Sequence, residues 1–170
     1  LDGFTLTNGV TSMAFGSGIA NSYASPMLRN LIISKNEGAY KGGGIANVHA
    51  SSPTLINVVL QNNRAGSYGG GLSSDVDSHP LLINVIIKGN FSDGGGGGLT
   101  ATDNASITLI NTVITGNVAR GGGAIYVHNS ELNIINTTIS GNVAGDAGIV
   151  VSGTSTATLQ NNLVWGNGPT

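Results

Sequence analysis

The chain of 170 residues contains no cysteine, and charged residues make up only 8% of it. The absence of cysteine excludes a disulfide framework, thiol chemistry and thiolate metal sites. Six basic and eight acidic residues give a net charge of −2, and they form no basic stripe of the kind that binds nucleic acid. The longest apolar run, residues 81–87, is far too short to span a bilayer. We therefore expect this segment neither to bind nucleic acid nor to insert into a membrane.

Glycine and asparagine, in contrast, are abundant, and they recur at a fixed interval. The apolar residues that close the glycine clusters are Ile19, Ile45, Leu72, Leu99, Ile125 and Ile149. A first asparagine lies within each following apolar run, at Asn30, Asn57, Asn84, Asn111, Asn136 and Asn161. A second asparagine ends each run, at Asn36, Asn63, Asn90, Asn117, Asn142 and Asn167. The three markers share a period of about 26 residues, which indicates copies of one structural unit.

The repeated unit is predicted to consist of strands. Its apolar runs are short and rich in β-branched residues, and glycine, serine, asparagine or proline bounds each of them. No run offers the longer apolar stripe that a helix needs. Leucine-rich repeats and propeller blades are excluded, because the former need their own leucine pattern and the latter about 40 residues per blade. We predict an all-β, right-handed, single-stranded parallel β-helix of about six coils, with three short strands in each coil.

The apolar residues around the first asparagine predict a bend at that position. Two places before it the chain has leucines such as Leu55, whereas Val58 and Leu60 lie one and three places after it. The inward set therefore shifts by one residue at the asparagine, which tolerates the left-handed conformation that such a bend requires. We expect the asparagine amides to hydrogen-bond from coil to coil as an inner ladder. The expected members of this ladder are Asn30, Asn57, Asn84, Asn111, Asn136 and Asn161.

Two segments carry a resemblance to a known family. They are Gly-Gly-Gly-Ile-Ala-Asn at 42–47 and Ser-Pro-Thr-Leu-Ile-Asn-Val-Val-Leu-Gln-Asn-Asn at 52–63. With their repeated Gly-Asn ends, they resemble the right-handed parallel β-helix repeats of secreted and surface-anchored bacterial proteins. Autotransporter-type polymorphic outer-membrane proteins carry similar repeats, and the implied fold is pectate-lyase-like. The resemblance covers residues 3–167 and implies the fold, but no particular activity.

Residues 1–170 are expected to form a single β-helix domain, either a fragment or an uncapped segment of a longer solenoid. Solenoids shield their ends with polar caps, and no amphipathic helix precedes Phe4 or follows Asn167. Flanking coils or other protein subunits are therefore the expected partners, with a cell-surface glycan as a further candidate. No signal sequence is visible, but the low charge and the abundant serine, threonine, asparagine and glycine favour a secreted or cell-surface location.

Outward positions beside the first asparagine predict a contact ridge. The residues one place before it and two places after it point away from the core if the predicted parity holds. They are mostly β-branched, which suits strands, but together they would also expose an apolar surface of roughly a few hundred Å², near the size that marks interaction sites. The ridge comprises Ile56, Val59, Ile83, Ile86, Ile110, Val113 and Ile135.

A second group of candidates follows the glycine clusters and is formed by Asp75, Asp77, Asp103, Tyr126 and His128. Such side chains are able to contact a glycan or an ion, since hard cations prefer carboxylate ligands. The spacing differs from that of calcium-binding nonapeptide repeats, so a solvated turn is the alternative interpretation. We expect no resident metal and no cofactor.

Catalysis is not expected from this sequence. A glycosidase needs two carboxylates that face one groove, and Asp75 with Asp103 is the only pair that falls on one coil face. The six basic residues lie at coil ends or isolated outer positions, apart from the acidic residues that a lyase would need beside them. The glycine clusters lack the lysine and the helix of a nucleotide-binding loop.

These observations favour a non-catalytic structural or adhesive β-helix that presents a rigid face to a protein partner, a glycan or a copy of itself. One alternative is a β-helix of the lyase or hydrolase class that binds or cleaves a polysaccharide. Another is a self-assembling filament subunit that stacks end to end.

Overall fold

The computed structural model describes residues 1–12 and 15–169, so residues 13, 14 and 170 of the expected domain lie outside the described part. The described residues form 25 short strands in four sheets, and every pairing between strands is parallel. We name the sheets A to D in their order within one coil, counted from the strand before the first asparagine, and the chain enters the solenoid at sheet B. Each sheet receives one strand from each coil, which is the arrangement of a β-solenoid.

Sheet A precedes the first asparagine of each coil, and sheet B follows it. The strands of sheet A are Met27–Arg29, Thr54–Ile56, Leu81–Ile83, Ser106–Ile110, Glu131–Ile135 and Thr156–Gln160. The strands of sheet B are Thr5–Thr7, Ile32–Ser34, Val59–Gln61, Ile86–Lys88, Val113–Thr115, Thr138–Ser140 and Leu163–Trp165.

Sheet C follows the second asparagine, and sheet D follows the glycine cluster. The strands of sheet C are Val10–Thr11, Glu37–Gly38, Arg64–Ala65, Phe91–Ser92, Val118–Ala119 and Val143–Ala144. The strands of sheet D are Ile19–Ser22, Ile45–Val48, Leu72–Ser74, Leu99–Thr102, Ile125–His128 and Ile149–Ser152. The predicted parallel solenoid is confirmed, and the two-residue strands of sheet C add a fourth strand to the three expected per coil.

The register of the coils follows the sequence period. Leu82 pairs with Leu55 of the preceding coil and with Leu109 of the following coil, so like residues stack along the axis. All three leucines are fully buried, as are Val58 and Leu60 beyond the corner. The predicted change of side-chain parity at the first asparagine is therefore confirmed, and the apolar column is continuous through the middle of the solenoid.

The first asparagine of each coil forms a corner at the surface. Asn57, Asn84 and Asn111 have φ angles of 55°, 55° and 53°, in the left-handed region that the bend requires. Their side chains are exposed, and the amides of Asn30, Asn57 and Asn84 are joined by exposed bonds of 3.2 and 3.4 Å. The corner was predicted correctly, but these residues do not build the inner ladder.

The inner ladder is built by the second asparagine of each coil. Asn90 accepts hydrogen bonds at Oδ1 from the backbone nitrogen and from Nδ2 of Asn63, at 2.9 and 3.1 Å. Its own nitrogen atoms donate in the same way to Oδ1 of Asn117, at 2.9 and 3.0 Å. Nδ2 of Asn90 also donates to the carbonyl of Leu60 at 3.0 Å. Because these amides are buried, each rung satisfies polar groups that water cannot reach.

The glycine clusters are points at which adjacent coils approach closely. Gly96 has a φ angle of 65° and forms the turn into sheet D. At Gly97 an added Cβ would lie 2.5 Å from the carbonyl oxygens of both Gly123 and Val118. Only glycine fits there, so close packing between coils accounts for the glycine at this position.

The described residues contain no helix at all. Accordingly, no helix long and apolar enough to cross a membrane is found among them.

Candidate functional site

The segment between sheets C and D folds back over the outer face of sheet D. An added Cβ at Gly42 would contact Ala46, and one at Gly69 would contact Ser73, both of which point outward from sheet D. As a result, Ala46 and Ser73 are buried although they face away from the core. Candidate contact residues were predicted after the glycine clusters, and in the central coils the glycine segment covers the outer face of the sheet that follows.

A buried ion pair lies beneath this cover. Nζ of Lys41 lies 2.6 Å from Oδ2 of Asp75, and both side chains are about nine-tenths buried. Oγ1 of Thr102, on the next coil, donates a hydrogen bond of 2.9 Å to Oδ1 of Asp75. Lys41 also lies 3.5 Å from Oγ1 of Thr102. One lysine side chain therefore spans three consecutive coils.

A second carboxyl group adjoins this pair and titrates differently from it. Burial alone would raise the pKa of Asp75, but hydrogen bonds from Lys41 and Thr102 lower it below its ordinary value. A hydrogen bond to Asp75, followed by burial and the negative charge of Asp75, raises the pKa of Asp103. Asp103 is therefore the carboxyl that holds a proton more readily, and Asp75 is the one that stays charged.

The other predicted site residues lie around this cluster without joining it. His128 pairs with Thr102 in register and contacts Oγ of Ser152 at 3.1 Å. Asp77 lies on the exposed corner that follows sheet D, where its Oδ1 accepts a hydrogen bond from Asn104. The side chain of Asp75 thus lies in the buried cluster, whereas that of Asp77 lies on the exposed corner, where the backbone nitrogen of Asp77 donates to the carbonyl of Asp103 at 3.2 Å.

A row of aromatic side chains runs along the solenoid axis over the same face. The rings of Phe15 and Tyr40 are 5.6 Å apart, and those of Tyr68 and Tyr126 are 5.7 Å apart. Between the two pairs lies Nζ of Lys41, at 5.7 Å from the ring of Tyr40 and 5.9 Å from that of Tyr68. We call Phe15, Tyr40, Tyr68 and Tyr126 the aromatic row.

Tyr126 takes its place in this row because of a glycine. Its ring lies over Gly95, where an added Cβ would be 2.7 Å from Cγ of the tyrosine. Gly95 occupies the position that Tyr68 and Lys41 fill on the two preceding coils. The side chain missing at Gly95 therefore makes room for the ring supplied by the following coil.

Sequence analysis found Tyr126 but missed most of the row and the lysine. Tyr68 lies directly before a glycine cluster and Tyr40 one residue further back, and this nearness to the clusters was the available signal. The basic residues were expected to lie apart from the acids, which is wrong for Lys41 and also for Arg64, whose Nη2 lies 2.7 Å from Oδ2 of Asp93.

The predicted ridge residues do face outward along sheets A and B. On sheet B, Ile86 and Val113 remain 38% and 37% exposed, and Val59 is half-buried. On sheet A the ridge residues are half-buried, and these are Ile56, Ile83, Ile110 and Ile135. The geometry of the ridge is as predicted, and its role as a contact surface stays a prediction.

The chemistry available on these faces is limited. Within residues 1–12 and 15–169, no group of three or more histidine, aspartate or glutamate side chains converges to hold a metal ion. No enclosed pocket is found over that same part of the chain. What the described residues offer is an aromatic row that is exposed at Tyr40 and half-buried elsewhere, an apolar ridge and a buried lysine–carboxylate cluster.

The stacked coils, the parallel sheets and the buried asparagine ladder define a parallel β-helix protein. The sequence model of one family, described as "Right handed beta helix region", matches residues 2–170. The chain therefore belongs to the right-handed β-helix family. No match was found among curated proteins or among solved structures. The finer resemblance to autotransporter-type or pectate-lyase-like proteins stays a prediction.

Proposed function

We propose that this β-helix is a non-catalytic, rigid rod that binds a linear, uncharged glycan along the aromatic row. The observation that carries the proposal is the row itself, which places four rings along the axis with separations of 5.6 and 5.7 Å within its two pairs. This spacing is close to the length of one pyranose unit in an extended polysaccharide. Aromatic faces contact the apolar faces of sugar rings, and Tyr40 is 48% exposed and accessible for that purpose.

The charge distribution favours an uncharged polymer over an acidic one. Lys41 is the basic residue within the row, and its charge is compensated by Asp75 at 2.6 Å. The chain as a whole carries a net charge of −2. An acidic polysaccharide would therefore meet no unpaired positive charge in the row, whereas a neutral glycan needs none.

The carboxylate geometry supports binding without cleavage. Retaining and inverting glycosidases need two carboxyl groups that flank one bond of the substrate. Asp75 is nearly buried and engaged with Lys41 and Thr102, so it has no free side toward a bound polymer. Asp103 is then left without Asp75 as a catalytic partner.

The same proposal places the protein outside the cell or on its surface, where such polymers occur. Its support is the composition, in which charged residues are sparse and polar uncharged residues are plentiful.

Affinity electrophoresis tests the proposal directly. The purified chain would be run through native gels that contain a soluble neutral polysaccharide, such as a β-glucan or a galactomannan, and through gels that contain pectin or alginate. We expect retardation by at least one neutral polymer. Tyr40→Ala should weaken binding about two- to tenfold, because an aromatic contact contributes about 0.5–1.5 kcal/mol.

The matched control is Ile86→Ser, which alters an exposed side chain on the ridge and should leave retardation unchanged. Retardation that is equal in Tyr40→Ala and in the unmodified chain would contradict the proposal. Shortening of any polymer during incubation, measured by size-exclusion chromatography, would instead support the lyase or hydrolase class.

A protein partner on the ridge is a second candidate function. It is favoured by the exposure of Ile86 and Val113, two β-branched residues that are paired on adjacent strands of sheet B. If the ridge joins two copies, sedimentation velocity should show a dimer that Val113→Lys disrupts. A monomer at all accessible concentrations would contradict a self-contact through the ridge.

A further inference from the structure

The buried cluster of Lys41, Asp75, Thr102 and Asp103 contains the groups needed for a covalent reaction within the chain. We propose that Lys41 and Asp75 condense to form an isopeptide bond between Nζ of the lysine and Cγ of the aspartate. The proposal does not depend on glycan binding, because it concerns the fold beneath the aromatic row.

The reacting groups are already in contact. Nζ of Lys41 lies 2.6 Å from Oδ2 of Asp75, which brings the nitrogen close to the carboxyl carbon it must attack. Holding reacting atoms within about 3–3.5 Å of each other in a fixed orientation removes a large part of the activation barrier that the same groups face as separate molecules. The residues are fixed by different coils, 34 positions apart in sequence, so the contact is a product of folding.

Condensation requires the uncharged forms of both groups, and burial lowers the cost of reaching them from the charged pair that the hydrogen bonds to Asp75 and the two rings stabilise. Both side chains are about nine-tenths buried, and the rings of Tyr40 and Tyr68 lie 5.7 and 5.9 Å from Nζ. A buried ion pair carries a desolvation penalty on each charge. Transfer of one proton from the ammonium to the carboxylate removes both charges, leaving an amine beside a carboxylic acid.

Two neighbouring groups match the needs of the transition state. Oγ1 of Thr102 donates to Oδ1 of Asp75 at 2.9 Å, the oxygen on which negative charge develops when the amine adds to Cγ. Asp103 follows Thr102 in the chain, and its interaction with Asp75 raises its pKa, so it is able to carry a proton near the reacting carboxyl. Its role is that of a proton relay.

The reaction balances without any further reagent. The ammonium of Lys41 gives one proton to Oδ2 of Asp75, and the resulting amine adds to Cγ. Asp103 relays a second proton from the nitrogen to the same oxygen. The bond between Cγ and Oδ2 then breaks and one water molecule leaves. The product is a neutral amide, and no atom is oxidised or reduced.

Such a bond would lock two consecutive coils together in a chain that has no cysteine. It would also fix the segment that carries Tyr40 against sheet D. Unlike a disulfide, it would persist in both oxidising and reducing surroundings.

Intact-protein mass spectrometry of the folded chain is the first test. We expect a mass lower than that of the sequence by one water molecule. Trypsin should then fail to cleave after Lys41, and peptides 36–64 and 65–88 should appear as one branched species. Lys41→Arg retains the positive charge but cannot form this bond, so its mass should equal that of its sequence. Lys88→Arg, at an exposed position, should still lose water.

A second variant keeps the proposal testable if Lys41→Arg does not fold. Asp103→Asn retains both reacting groups and removes only the proton relay. When chains dissolved in urea are refolded and sampled over time, bond formation in Asp103→Asn should be slower by about 10²-fold. The rate in the unmodified chain should fall as pH rises through the raised pKa of Asp103, and Asp103→Asn should lose this dependence.

Two results would overturn the proposal. One is a folded chain without substitutions whose mass still equals that of its sequence after prolonged incubation. The other is a loss of water that persists in folded Lys41→Arg, which would place the dehydration elsewhere, for example at the Asp93–Gly94 succinimide site.

Discussion

Replacement of Asn90 by alanine should remove a large share of the stability of the solenoid. The side chain makes four buried hydrogen bonds, two accepted from Asn63 and one donated to each of Leu60 and Asn117. A typical buried hydrogen bond contributes about 1 kcal/mol net, which gives about 4 kcal/mol for the four. The backbone nitrogen of Asn63 would also lose its acceptor and remain buried, at a further cost of about 1–3 kcal/mol.

Urea unfolding measures this loss in the free energy of unfolding. The strand signal in far-ultraviolet circular dichroism reports the folded fraction. We expect Asn90→Ala to lower the free energy of unfolding by at least about 4 kcal/mol, a large fraction of the 5–15 kcal/mol that is typical of a domain. The matched control is Asn84→Gly at an exposed corner, where glycine accepts the left-handed backbone. Its effect should stay within about 0.5 kcal/mol.

The reasoning would be refuted if Asn90→Ala lost less than about 1 kcal/mol, or if the two variants were equally stable. Either result would mean that the buried amides do not hold the coils together.

Three further predictions use the same unfolding assay. Leu82→Ala, in the apolar column, should lose about 2–5 kcal/mol, and a loss below 1 kcal/mol would contradict its full burial. Gly97→Ala should fold poorly, because its Cβ would lie 2.5 Å from two carbonyl oxygens; native-like stability would contradict this. The third prediction uses a Lys41→Arg background, in which the proposed bond cannot form. There, the contribution of Asp103 to the free energy of unfolding should decline as pH rises through its raised pKa. The reason is that a carboxyl that binds its proton more tightly in the folded state stabilises the fold only while it is protonated. Asp103→Asn in that background should abolish this decline, and an unchanged pH profile would count against the coupling with Asp75.

The repeated features of the fold were predictable because six copies of the unit average out local ambiguity. Period, parallel stacking and the parity change beside Leu55 and Leu60 all follow from positions that recur. The two asparagines of each coil recur with the same spacing, so periodicity alone does not show which one is buried. A signal was present in pairs such as Gly89–Asn90, where glycine takes the left-handed turn, with φ of 61°, and the asparagine then points inward.

The buried cluster was not predictable from the repeat, because it breaks the repeat. Asp75 and Thr102 occupy equivalent positions in consecutive coils of sheet D, but Lys41 occupies a different one, and it reaches them only because the glycine segment folds back over that sheet. That contact depends on the path of a loop, which strand periodicity does not encode. The aromatic row depends on the same fold-back and on the space above Gly95.

The central claim is that a neutral polysaccharide binds along the aromatic row. Hydrogen–deuterium exchange tests it most directly, in the presence of a neutral polysaccharide that slows the migration of the chain in native gels. The account predicts slower exchange in segments 39–44 and 66–71 and around Tyr126, with sheets A and B unchanged and the polymer intact. Protection confined to the ridge around Ile86 and Val113, or a shortened polymer, would contradict it.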